Sequence, residues 1–269
     1  MPVRNFAFPA AALLGVLVAC RDAMGPRTAH RVNLSFATNT DAGTSGQVAG
    51  ATVDGGFGVA VGSDELIITR ARIVLREIEF EREDSLAGCT SSFDDDSCEK
   101  VEVGPVLVDL PLDGSLRTQL AATVPQGTFD EIEFELEHAH DDSASERAFR
   151  VAHPEFNGLS VRVEGTFNGQ PFTFVSSVRA EMEIEFNPPL VVGESGHNVT
   201  VNVDLARWFR RTDGSVIDPR TANPGGPNAG TVAANIRSSF DAFDDDDRDG
   251  RRHGGSDDDG DDDNSGRGS

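Results

Sequence analysis

Apolar and polar residues alternate with period two along much of this chain, which places successive side chains on opposite faces of extended backbone. Val32, Leu34 and Phe36 open the pattern. Residues 66–80 are long and strand-like, but the apolar phase slips. Ile67, Ile73 and Leu75 are odd-numbered whereas Ile78 and Phe80 are even, which predicts a bulge or bend near Arg76. Residues 101–110 form a further strand, kinked at Gly104-Pro105, where proline removes a ladder donor. In residues 129–138, Ile132, Phe134 and Leu136 face one way and Glu131, Glu133, Glu135 and Glu137 the other, the pattern of a half-buried antiparallel strand. Asn168-Gly169 joins residues 161–167 to residues 172–186 as a hairpin. Val199, Val201, Val203 and Leu205 make a last strand ending at Trp208-Phe209, a plug for the core. Helical spacing occurs at Val232, Ile236, Phe240 and Phe243. These elements predict an all-β fold: an antiparallel β-sandwich of about seven to nine strands with one short C-terminal helix, a closed barrel being the alternative. Glu and Arg on the outward faces argue against a transmembrane barrel.

The two ends depart from this pattern. Arg4 precedes an apolar run from Phe6 to Val18, and Leu17-Val18-Ala19-Cys20 closes it as a lipobox. The run is too short for a membrane-spanning helix and is interrupted by Pro9 and Gly15. Residues 1–19 therefore read as a lipoprotein signal peptide, with Cys20 as the lipidated first residue of the mature chain and residues 20–30 as a tether. Arg21 next to the lipidated position leans toward the outer membrane. At the other end, twelve Asp against three Arg between Asp241 and Asp263 give a net charge of −9. Residues 31–243 are expected to hold the sandwich, and residues 244–269 to form a disordered acidic tail.

Composition changes the picture in three ways. A formal charge of −23 argues against a nucleic-acid partner and makes divalent cations conceivable. Lys100 is the single lysine and tyrosine is absent, which narrows the options for covalent catalysis and aromatic stacking. Cys89 and Cys98 flank an eight-residue acidic stretch in a chain expected outside the cytoplasm, so a disulfide is the default reading.

Three segments taken together also carry a resemblance. Residues 66–75, the strand Val106-Leu107-Val108-Asp109-Leu110, and the turn Val124-Pro125-Gln126-Gly127-Thr128-Phe129 leading to Ile132 resemble the uncharacterised bacterial lipoprotein domain family designated domain-of-unknown-function 4382. The likeness spans about residues 31–205. It implies an envelope-anchored β-sandwich of unknown role and assigns no functional residues.

Two constellations could hold metal. Asp245-x-Asp247-x-Asp249-Gly250 reproduces the first, third, fifth and sixth positions of a calcium loop, although its twelfth position falls on Ser256. His138-x-His140 on an extended strand puts two imidazoles on one face, suited to Zn, Ni or Cu, with His153 as a third ligand. The glutamate rows at 131–137 and 181–185 read as a wet sheet face paired with Arg70, Arg72, Arg162 and Arg179, in preference to a glycosidase carboxylate pair. The leading functional expectation is a non-enzymatic cell-envelope lipoprotein that binds or scaffolds an envelope protein or polysaccharide, held to the membrane by its N-terminal lipid. A calcium-responsive binding module using the acidic segment is the first alternative, and a metal-dependent hydrolase of unfamiliar type the second.

Overall fold

The computed structural model describes residues 29–38, 51–53, 56–82, 100–193 and 197–250. The leader at residues 1–19, Cys20, Cys89, Cys98 and residues 251–269 lie outside the described residues. The strands in chain order are β1 (Ala29–Thr38), β2 (Ala51–Val53), β3 (Gly56–Val61), β4 (Asp64–Arg82), β5 (Lys100–Val103), β6 (Val106–Asp109), β7 (Arg117–Pro125), β8 (Gly127–Leu136), β9 (Val161–Phe167), β10 (Gln170–Ser176), β11 (Ala180–Val192), β12 (His197–Val203) and β13 (Phe240–Asp244). Helices α1 (Ala144–Ala152), α2 (Leu205–Trp208) and α3 (Ala229–Arg237) connect them. The fold is all-β and sandwich-like, with more strands and more helices than the alternation alone predicts.

Two sheets share one core. The smaller runs β13-β12-β1-β7, in which β1 and β12 are parallel and the other pairs antiparallel. The larger has nine strands arranged around β4, which pairs with β3, β5, β6, β8 and β9 along its 19 residues. Leu34, Phe36, Val199 and Val201 from the first sheet meet Ile78, Phe80, Phe129 and Phe134 from the second, all buried. Trp208 and Phe209 plug this core as expected, the indole N–H donating to Ser239 Oγ at 2.7 Å.

The phase slip in β4 has two causes. Leu66 and Ile68 point inward, then Ala71, Ile73 and Leu75, then Ile78 and Phe80. Register shifts at Ile68/Arg70 and at Leu75/Glu77 separate the three sets. The second bulge is the one expected near Arg76. The first corrects the placement of Ile67, which lies off the buried phase because Leu66 and Ile68 occupy it. Both bulges have a glycine opposite: a Cβ at Gly165 would meet the Ile67 carbonyl, and one at Gly104 the Arg76 carbonyl.

Elsewhere the period-two reading breaks at particular residues. The run from 172 to 186 divides at Ser177 to Arg179, so that β10 closes the hairpin on β9 through Asn168 and Gly169, while β11 crosses to pair with β8. Ser160 Oγ donates to the Val178 carbonyl at 2.5 Å and holds this corner. The helix expected from Val232 to Phe243 ends at Arg237. Ser238 Oγ and Ser239 Oγ donate to the Ala234 and Ile236 carbonyls at its end, and Phe240 and Phe243 belong to β13, paired with β12. Alternation does not predict helix α1, which begins at a capping box formed by Ser143 and Glu146. With the short 3₁₀ turn Pro154–Phe156 it covers the outer face of the larger sheet, where Val74, Ala139, Phe149 and Phe156 form a small second core.

Gly165→Ala should lose about 1–3 kcal/mol of stability, because the added methyl would press on backbone rather than on a movable side chain. Urea unfolding with an unchanged slope and a lowered midpoint is the expected readout.

Candidate functional site

The bulge at Arg76 organises the outer face of the larger sheet. Released from the ladder, the Arg76 guanidinium reaches Glu135 Oε2 of β8 at 2.7 Å and Glu146 Oε1 of α1 at 3.0 Å, and lies 3.6 Å from Glu137 Oε2. Burial works against its charge, but the hydrogen bonds to Glu146 and Glu135 outweigh it and raise its pKa above the ordinary arginine value. Glu146 is 5% exposed and accepts, besides Arg76, the backbone N–H of His140 (3.2 Å), Asp142 (3.2 Å) and Ser143 (3.1 Å). Burial alone would raise the Glu146 carboxyl. These donors instead hold it at about 2.

One side chain therefore shapes the segment from 137 to 143, which carries the two candidate histidines. β8 ends at Leu136, so His138 and His140 sit on this connection rather than on a strand. Their rings stack, with centroids 4.6 Å apart and planes 14° from parallel. One ligand atom each from Glu137, His138 and His140 lie within 4.8 Å of one another. His153, expected as the third ligand, instead packs on Phe149 at 4.7 Å, and Glu137 takes its place in the cluster. Alternation alone assigns Glu137 to the wet face, whereas Arg76 and the end of β8 draw it to 6% exposure. Burial would raise its pKa, but His140, Glu135 and the charge of Arg179 lower it. Burial and the neighbouring His140 push the His138 pKa down.

The glutamate rows sit in register across three strands. Glu77, Glu135 and Glu181 face one another on β4, β8 and β11; so do Glu79, Glu133 and Glu183, and Glu81, Glu131 and Glu185. Glu102 of β5 extends the middle row. Carboxylates directly opposed in this way destabilise a sheet, their Cβ atoms lying only about 4.5–5.5 Å apart. Burial, a hydrogen bond with Glu79 and the charges of Glu102 and Glu79 push Glu77 up to about 7. Burial and the charges of Glu183 and Glu81 likewise push Glu131 up. The expected cross-strand arginine pairing is corrected in three of four cases: Arg70 binds Asp109, Arg72 binds Glu155 and Arg162 binds Glu164. Arg179 does reach the rows, at 2.7 Å from Glu135 and 3.7 Å from Glu137. Register explains the difference, since Arg70 and Arg72 lie before the second bulge and opposite β6 and β9 instead of β8.

The calcium-loop candidate is folded against the smaller sheet. Asp245 is 1% exposed, and its carboxylate accepts Thr200 Oγ1 at 2.6 Å, Asp249 N at 3.0 Å and Gly250 N at 3.1 Å. Asp246 accepts Asn198 N at 3.2 Å and lies 3.1 Å from His197 Nδ1. Asp244 through Gly250, expected in the tail, are thus ordered, because Asp245 satisfies a buried hydroxyl and two backbone donors together. One ligand atom each from Asp245, Asp247 and Asp249 lie within 4.8 Å of one another, the latter two residues exposed. A buried polar chain extends inward from the loop, in which Asn198 Nδ2 donates to the Asp245 carbonyl and Ser35 Oγ donates to Asn198 Oδ1.

No family model, curated protein or solved structure matches this chain. The resemblance to domain-of-unknown-function 4382 rests on the sequence motifs alone.

Glu146→Gln should cost roughly 3 kcal/mol, since it leaves the Arg76 charge half-compensated and weakens three backbone hydrogen bonds. Its depressed pKa adds a pH signature. The stability that Glu146 contributes is present above the unfolded value of 4.5 and lost as pH falls toward about 2, so the variant should unfold with a weaker acid dependence. Glu77 has the opposite sign. With its folded pKa raised to about 7, stability should decline as pH climbs from 4.5 to 7, and Glu77→Gln should flatten that decline in melting curves across the interval.

Proposed function

We propose that this protein is a non-enzymatic cell-envelope lipoprotein, anchored through lipid on Cys20, whose β-sandwich binds another envelope component. The glutamate array on the larger sheet is the observation that carries the binding half of this reading. Nine glutamates stand opposed in register across three strands, and although Arg76 and Arg179 pair with Glu135 at one end, burial and neighbouring carboxylates still push Glu77 and Glu131 up. A partner presenting cationic groups would relieve that repulsion, and charge complementarity of this kind governs encounter rate and specificity. The lipobox at Leu17 to Cys20 supports the anchoring half. Only residues 21–28 separate Cys20 from β1, so the tether spans at most about 30 Å and keeps the sandwich beside the bilayer. Arg21 favours the outer membrane, and the resemblance to an uncharacterised lipoprotein domain family agrees with an envelope location.

The folded acidic loop favours a second reading, a calcium-responsive module. Asp245 accepts the Asp249 and Gly250 N–H groups and thereby brings its buried carboxylate together with the exposed ones of Asp247 and Asp249, with Gly250 at φ 73° making the bend.

Cells expressing the intact chain should incorporate a palmitate analogue into it and retain it in the membrane fraction. Cys20→Ala should abolish both, and an unlabelled, fully soluble wild-type chain would overturn the anchor. Wild type should cross-link to a partner in intact envelopes, and the triple variant Glu79→Gln, Glu133→Gln, Glu183→Gln should melt at higher temperature and lose that cross-link. Unchanged cross-linking would remove the acidic face from the reading. For calcium, heat and a rise in melting temperature at millimolar Ca²⁺ are expected in the full chain and not in Asp247→Asn, Asp249→Asn; no response in the full chain refutes that reading.

A further inference from the structure

We infer that Glu137, His138 and His140 form a binding site for a single divalent transition-metal ion, zinc-like in its preference for imidazole and carboxylate donors. The site goes beyond the binding role proposed above and does not depend on it. Two imidazoles and a carboxylate are the donor set such ions take, whereas calcium and magnesium select oxygen alone.

Three observations converge on these residues. Their ligand atoms already cluster within 4.8 Å, and His140 Nε2 lies 3.3 Å from Glu137 Oε1, close to the roughly 3.3 Å edge of a tetrahedron with bonds of about 2.0 Å. His138 Nδ1 is buried without a hydrogen-bond partner, and Glu137 Oε2 and His140 Nε2, also buried, have only long polar contacts, to Arg76 Nη1 at 3.6 Å and to Glu137 Oε1 at 3.3 Å. Buried polar atoms are nearly always satisfied, so one orphan and two under-satisfied atoms on neighbouring residues mark a place with capacity for a further ligand. Finally, the segment is held from behind. Glu146 accepts the N–H of His140, Asp142 and Ser143, and Arg150 Nη1 donates to the His140 carbonyl at 3.4 Å, so the ligands stand on a preformed frame.

Two features define how binding proceeds. Lone pairs of stacked rings run side by side, so one imidazole must turn about its Cβ–Cγ bond to share a metal. His140, with 35% of its side chain exposed, is the ring with room to do so. A cavity of about 310 Å³ lined by His138, His140, Asp141, Asp142 and Arg150 adjoins the cluster and leaves space for a fourth ligand from water or a partner. The guanidinium groups of Arg76 and Arg179, 3.6 and 3.7 Å from Glu137, oppose a cation and weaken affinity below that of a closed structural zinc site.

The test is titration of the full-length, untagged, detergent-solubilised chain with Zn²⁺ after chelator treatment, followed by calorimetry, with Co²⁺ substitution read by visible absorption. Wild type should bind one equivalent through His138 and His140 and give the intense bands of a low-coordinate Co²⁺ site. His138→Ala and His140→Ala should each lower affinity at least about 100-fold, and Glu137→Gln about 10- to 100-fold, with circular dichroism unchanged. Weak binding by the acidic C-terminal segment should persist in every variant and so separates from the specific site. A wild-type chain without a stoichiometric transition, or a His138→Asn, His140→Asn double variant that retains it, would overturn the assignment. The three Glu→Gln changes at Glu79, Glu133 and Glu183 should leave Zn²⁺ binding intact, which distinguishes failure of this site from failure of the acidic face.

Discussion

The Arg76 guanidinium is the interaction on which the outer face of this protein depends. The 19-residue β4 changes its buried phase at bulges, and the one between Leu75 and Glu77 releases Arg76 from the ladder. Its charge is half-buried, so it must be paired, and Glu135 and Glu146 supply the pairing from two different elements. Glu146 then spends its remaining acceptor capacity on the backbone of the 137–143 segment. A local irregularity in β4 thus sets the position of α1, the path of the chain leaving β8, and the juxtaposition of Glu137, His138 and His140.

Charge is used differently in the three acidic regions. Around Arg76, carboxylates are buried and compensated, and the pKa of Glu146 falls. Along the glutamate array, which shares Glu135 with that cluster, they are opposed to one another, and burial with neighbouring carboxylates raises the pKa of Glu77 and Glu131. In the loop after β13, Asp245 is buried and its carboxylate accepts three hydrogen bonds. A carboxylate therefore anchors structure, stores repulsion or closes a loop according to what surrounds it. Repulsion on an exposed sheet face suits recognition of an oppositely charged partner. The compensated cluster beside the histidines suits a fixed site.

The class of fold and most strands were legible because period two survives in any half-buried sheet: Ile132, Phe134 and Leu136 face the core wherever β8 pairs. The slip at Arg76 was legible for the same reason, and Asn168-Gly169 carried its own turn chemistry. Helix α1 was legible in principle from Ser143 and Glu146 but lies in a short polar stretch that alternation does not flag. Phe240 and Phe243 misled because spacings of four and then three residues from Ile236 fit a helix, while the hydroxyls of Ser238 and Ser239 and pairing with β12 decide for a strand.

The sequence by itself determined the all-β class, the inward residues of strands such as β8 and β12, the candidate anchor at Cys20 and the donor types at His138 and His140, since each depends on residues adjacent in the chain or on local periodicity. Tertiary structure alone decided that β1 and β12 run parallel, that β11 leaves β10 for β8, that the glutamates oppose glutamates, and that Glu137 rather than His153 completes the histidine cluster. Each of these depends on which strand neighbours which and in what register. Register is set by the summed burial of a whole face, a quantity no local stretch of residues contains.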